Sequence, residues 1–81
     1  MPFTADHIAE LTLLEQFDSP STLSGIKIHS HQADPITIAA AERLHSKGLI
    51  TQVDGGYLTP LGCETLEHTE KLLAVLADSS T

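Results

Sequence analysis

RLHSKGLITQVDGGYLTPLG, residues Arg43–Gly62, holds a helix end, two short strands, a tight turn and a new helix start in one block. Leu44 is the last apolar residue before Lys47-Gly48, and glycine commonly stands just past a helix end. Leu49, Ile50 and Val53 predict a short strand. Asp54-Gly55-Gly56 predicts the turn of a hairpin, because these residues accept the positive φ of tight primed turns. Tyr57-Leu58 predict the returning strand. Thr59 is a helix N-cap and Pro60 suits the first helical position.

Upstream of this block, Asp34 predicts an N-cap and Pro35 the first residue of a helix that runs to Ser46 or Lys47. Thr37, Ala40, Ala41 and Leu44 share its small, apolar face, and Ile38, Ala39, Glu42, His45 and Ser46 lie opposite. A first helix is predicted over Thr4–Phe17. Thr4 is its N-cap, Asp6 meets the helix dipole in the first turn, and Phe3 and Ile8 are spaced as a hydrophobic staple. Leu11, Leu13, Leu14 and Phe17 form its apolar face, and Asp18-Ser19-Pro20 ends it. Ile26-Lys27-Ile28-His29 alternates as a short strand does and would pair with the hairpin as a third strand; a short helical segment within 21–32 is the alternative.

Downstream, a helix is predicted from Pro60 to Ala77. Leu61, Leu66, Leu72, Leu73 and Leu76 form a broad stripe, read first as core and second as a dimer contact. Glu67 and Lys71 have the spacing of an i,i+4 ion pair. The expected fold class is mainly α with a small β-hairpin or three-stranded sheet (α+β). One domain spans 1–78 and a frayed tail covers 79–81.

With 81 residues, the chain is a small domain that buries about 60–65% of its unfolded surface, so a partner chain would add stability. Cys63 stands alone, which excludes an intramolecular disulfide and suits a reducing compartment. MPFTADHIAE lacks the basic and apolar regions of a signal peptide, and no apolar run approaches the roughly 20 residues of a membrane span. A cytoplasmic location with no membrane partner is therefore expected. Four Lys and Arg oppose eleven Asp and Glu, a formal net charge of −7. The cations are Lys27, Arg43, Lys47 and Lys71. Nucleic-acid affinity draws on phosphate neutralisation by such residues, so this balance opposes strong DNA binding.

Arg43-Leu44, Lys47-Gly48-Leu49-Ile50 and Asp54-Gly55-Gly56-Tyr57-Leu58-Thr59-Pro60-Leu61-Gly62 together resemble the winged-helix transcription regulators of the MarR and PadR type. There a recognition helix ends in Leu-x-x-Lys-Gly-Leu-Ile, a wing hairpin follows, and Leu-Thr-x-x-Gly opens the next helix. The whole chain is also similar to a family of small bacterial proteins described as candidate DNA-binding proteins. The resemblance implies a winged helix-turn-helix with its recognition helix at Asp34–Lys47. It implies groove-facing positions at Ile38, Ala39, Glu42, Arg43 and Ser46, and a DNA-binding set of Lys27, Arg43, Ser46 and Lys47. A weak or partner-dependent DNA-binding regulator is the first expectation. The pattern departs from this at Ile38, Ala39 and Glu42, which offer few donors, and at a wing that carries Asp54 and no Lys or Arg between Thr51 and Thr59. The second expectation is an acidic winged-helix module that binds protein through Ile38, Ala39 and Glu42. Either would allow a homodimer through the 60–77 helix.

His29 and His31 fall on one side of a strand and, with His45, Asp34, Glu42 or Cys63, would have metal-ligand chemistry. Without a Cys-x-x-Cys or His-Glu-x-x-His pattern they read as surface loop histidines, and no metal or cofactor is expected. Cys63, in the first turn of the last helix, has the placement of a reactive thiol. It also has the staple position against Leu58, which favours a small buried hydrophobe. No phosphate-binding glycine loop or nucleophile elbow occurs, so no enzyme is expected.

Overall fold

The computed structural model describes residues 2–29 and 31–78, so the tail expected at 79–81 lies outside the described residues. The fold is α+β. Three helices, α1 (Ala5–Leu14), α2 (Pro35–Ser46) and α3 (Pro60–Asp78), accompany strands β1 (Gly25–Lys27), β2 (Ile50–Gln52) and β3 (Gly55–Leu58). The sheet is antiparallel in the order β1-β3-β2.

Local chemistry sets most boundaries. Thr4 caps α1 by accepting from the His7 amide, and His7 Nδ1 accepts from the Thr4 amide in return, a reciprocal cap. Helix α1 stops at Leu14, short of the expected Phe17. There the chain tightens into i→i+3 bonds, Gln16 to Leu13 and Phe17 to Leu14, and these turn the Phe17 side chain into the core. Asp34 caps α2 by accepting from the Thr37 amide at 2.8 Å. The Thr59 hydroxyl accepts from the Gly62 amide and donates to the Gly48 carbonyl, which ties the start of α3 to the end of α2.

The hairpin differs from its expected form. Val53-Asp54 make the turn, and Gly55 and Gly56 already belong to β3. Among the described residues no non-glycine has positive φ, whereas Gly55 (φ 121°) and Gly56 (φ 70°) do. The register slips by one between Ile50↔Leu58 and Gln52↔Gly55, the mark of a bulge beside a two-residue turn rather than a primed turn. The Thr51 hydroxyl accepts from the Tyr57 amide at 2.9 Å beside this bulge. The 21–32 alternative resolves as strand: Gly25, Ile26 and Lys27 pair with Tyr57, Gly56 and Gly55.

Leu13, Leu14 and Phe17 pack with Ala40, Ala41 and Leu44 of α2, Leu49, Ile50 and Leu58 around the hairpin, and Leu66 of α3. Gly62 is required where α3 crosses the hairpin base, because a Cβ there would overlap the Leu49 carbonyl oxygen. The leucine stripe of α3 departs from the core reading. Leu66 is fully buried, but Leu61, Leu72, Leu73 and Leu76 are 49, 41, 48 and 58% exposed. Helix α3 is about 28 Å long at 1.5 Å per residue, and the packed core meets it only in its first half.

Candidate interaction surfaces

The cations expected to meet DNA are occupied inside the molecule. Arg43 Nε donates to Glu10 Oε2 at 2.9 Å, and its other end approaches Asp6 at 3.7 Å. Lys47 Nζ donates to the other oxygen of Glu10. Glu10 is 6% exposed, on the same face of α1 as the buried Leu13 and Leu14. Burial alone would push its carboxyl up. The hydrogen bonds from Lys47 and Arg43, with their charges, outweigh that and hold it below its ordinary value. One acid thus draws two α2 cations onto the α1–α2 seam. Lys27, more than half exposed, pairs with Asp54 at the hairpin turn, and that hydrogen bond leads in holding the Asp54 carboxyl low. Ser46 is exposed and lies beyond these pairs.

The expected partner face of α2 is less open than its wheel suggests. Ile38 and Ala39 are half-buried and only Glu42 is exposed. The exposed isoleucine of this helix is Ile36, at 67%. Ile36 escaped the sequence reading because it sits in the first turn, where the sequence signals are capping rather than facial.

His29 and His31 place their rings edge to face, 6.1 Å apart between centroids. Among the described residues no group of three or more His, Cys, Asp or Glu is gathered as metal ligands would be. Cys63 is half-buried and packs against the core. Among the described residues no helix is long and apolar enough to cross a membrane.

An apolar groove of about 420 Å³ lies between α1 and the outer half of α3. Phe3, Ile8 and Leu11 form one wall, and Leu72, Leu73 and Leu76 the other. Thr12 and Thr69 also line it, with their hydroxyls donated to the Ile8 and Thr65 carbonyls one turn back. Glu15, just past the end of α1, completes the lining. Its Oε2 is buried without a hydrogen-bond partner, the one such side-chain atom among the described residues. Burial first, and then the charge of Glu70, push the Glu15 carboxyl up. A period was available to find this second face: Ile8, Leu11, Thr12 and Glu15 recur at helical spacing beside the core stripe of Glu10, Leu13, Leu14 and Phe17.

Residues 1–77 match a family of unknown function, DUF5669. The chain belongs to that family. No curated protein and no solved structure matches it. The family therefore names a sequence pattern that spans the whole domain, and functional argument rests on the surfaces themselves.

Proposed function

We propose that this chain is a winged-helix-like module that binds protein, and that DNA is not its direct ligand. The helix–hairpin–helix order with a third strand on the hairpin supports the winged-helix-like description. The observation that carries the functional reading is where the positive charge goes. Arg43 and Lys47 meet Glu10, and Lys27 meets Asp54. A DNA reader needs such groups free for phosphate, because affinity for duplex grows with each phosphate neutralised. A helix-turn-helix also sets a helix one short turn before the recognition helix, and among the described residues 15–34 hold turns, bends and β1 only.

The apolar groove supports the protein-binding half of the reading, since contiguous exposed apolar surface marks interaction sites. The homodimer expected through residues 60–77 would use this same wall of α3.

Duplex binding separates the readings. Fluorescence anisotropy on random-sequence DNA at low salt is expected to show no association at tens of micromolar protein. Binding whose logarithm falls with log salt at about −0.9 per phosphate contact would restore the regulator reading. The protein-binding half is tested by affinity capture with Leu73→Glu beside wild type. The variant is expected to stay folded and lose bound partners; an unchanged set of partners overturns the groove as the contact.

A further inference from the structure

The α1–α3 groove has two features that together define an occupant: nearly continuous apolar walls and one carboxylate with an unanswered oxygen. Phe3, Ile8 and Leu11 face Leu72 and Leu73 across the opening, and α1 and α3 run as its two sides. The Thr12 and Thr69 hydroxyls are already satisfied by their own helices, so they ask nothing of a ligand. Glu15 does, because its Oε2 is buried with no donor. Native proteins satisfy nearly all such atoms. This chain shows how it does so elsewhere, where Glu10 receives both Arg43 and Lys47.

Among the described residues no Lys or Arg is arranged to answer Glu15. Lys27, Arg43 and Lys47 are bound to other acids. Lys71 makes no ion pair with a described residue, not even Glu67 at its i,i+4 position. A second copy would bring a further charge of −7, and with it another Glu15 and Glu70. Charge complementarity therefore points away from self-association and towards a basic partner.

Resting on the protein-binding reading above, we infer that the groove receives one amphipathic helix of a basic partner protein. Its apolar side chains lie between α1 and α3, and a Lys or Arg from its flank bonds the Glu15 carboxylate. Two helices side by side offer the hydrophobic trough that such a helix fills through anchors at i, i+3 or i+4, and i+7. Glu70, whose charge already acts on Glu15, extends the acidic rim. Burial and the Glu70 charge push the Glu15 carboxyl up in the free protein, and a cation bonded to it would pull it back down.

The test uses the full chain and fluorescein-labelled synthetic helices about four turns long. One carries leucines at i, i+3, i+4 and i+7 with lysines on the flanks. A second has glutamates for the lysines, and a third has the lysine composition in scrambled order. Anisotropy at about 0.15 M salt, where long-range attraction is screened, is expected to show micromolar to tens-of-micromolar binding of the lysine helix. Each control should bind about tenfold more weakly or less. Glu15→Gln, which keeps the shape of the side chain, should weaken the lysine helix about tenfold and leave the glutamate helix unaffected. Equal binding of the scrambled peptide, no binding of the lysine helix, or indifference to Glu15→Gln each overturns the inference. So does sedimentation that shows a stable dimer split by Leu73→Glu, since the occupant is then a second copy. If Leu73→Glu abolishes partner capture while Glu15→Gln changes nothing, the protein-binding reading stands and only the basic helix falls.

Discussion

The α1–α2 seam and the α1–α3 groove share a helix and differ in how they treat an acid. On the seam side, Glu10 is buried among apolar neighbours and holds two cations from α2. On the groove side, Glu15 is partly buried among apolar neighbours and its Oε2 holds none. The residues lie little more than one turn apart. The first arrangement is complete within the chain and fixes how α2 docks on α1. The second is complete only when something else arrives. Positive charge is the scarce component in this acidic chain, and its use on the seam removes it from any outward-facing role.

The same division runs along α3 and gives the largest expected effect. Leu66 is fully buried while Leu73 is half exposed, one heptad further on. Leu66→Ala is expected to cost about 2–5 kcal/mol, the range for a large core side chain truncated to alanine. Urea unfolding followed by circular dichroism measures it. A cost below about 1 kcal/mol would mean that the inner half of α3 is no better packed than the outer half.

Glu10→Gln comes next. It leaves Lys47 without its anion and Arg43 with only the exposed Asp6 at 3.7 Å, and removes the charge that orders the seam. Arg43 and Lys47 side chains are 30 and 49% exposed, so both can turn towards water. The loss is therefore expected at about 1–3 kcal/mol, below that of a fully buried pair. The pH dependence has a defined sign. The Glu10 carboxyl is held below its ordinary value of 4.5, so its contribution is present above that value and lost as pH falls through the lower folded value. Wild type should lose more stability than Glu10→Gln on acidification from pH 5 to pH 3. Parallel losses would show that the seam does not depend on this acid.

The frame of the fold was legible because its signals are local. Asp34-Pro35, Lys47-Gly48 and Thr59-Pro60 each set a helix boundary through a cap, a turn or a missing amide proton, and the structure follows them. The site was less legible because it depends on what faces what. The resemblance implied a groove-facing Arg43, yet the buried acid opposite it on α1 draws it inwards. The leucines of α3 read as core because periodicity reports an apolar face without saying how far the rest of the chain reaches along it. The hairpin shows the limit of a composition rule: Asp-Gly-Gly signals a turn, but the tip falls one residue earlier and the glycines serve a bulge.

Glu15→Gln is expected to act in the opposite direction to Glu10→Gln. The Glu15 carboxyl is raised above 4.5 in the folded state, so ionisation opposes folding once pH rises through the folded value. Removal of the charge should leave the free protein unchanged at pH 4 and more stable at pH 7, by at most about 1 kcal/mol for a partly exposed group. Thermal unfolding at the two pH values checks the sign. A destabilised variant at pH 7 would mean that Glu15 already has a partner in solution, and the contrast with Glu10 would fail.

The smallest expected effect sharpens the comparison most. Leu73→Ser changes a leucine that the sequence assigns to the core, and on sequence grounds alone it should cost as much as Leu66→Ala. The structure leaves that side chain 48% exposed on the groove wall. Its replacement should shift stability by no more than about 0.5 kcal/mol, as for surface positions away from packed features. Measured at several protein concentrations, this near-neutrality also reports on the occupant. A monomer with an open groove gives the same small value throughout. A loss that grows with concentration would mean that wild type gains stability by self-association through this wall. Leu73 would then be a core residue of a dimer, and the groove would be as complete as the seam.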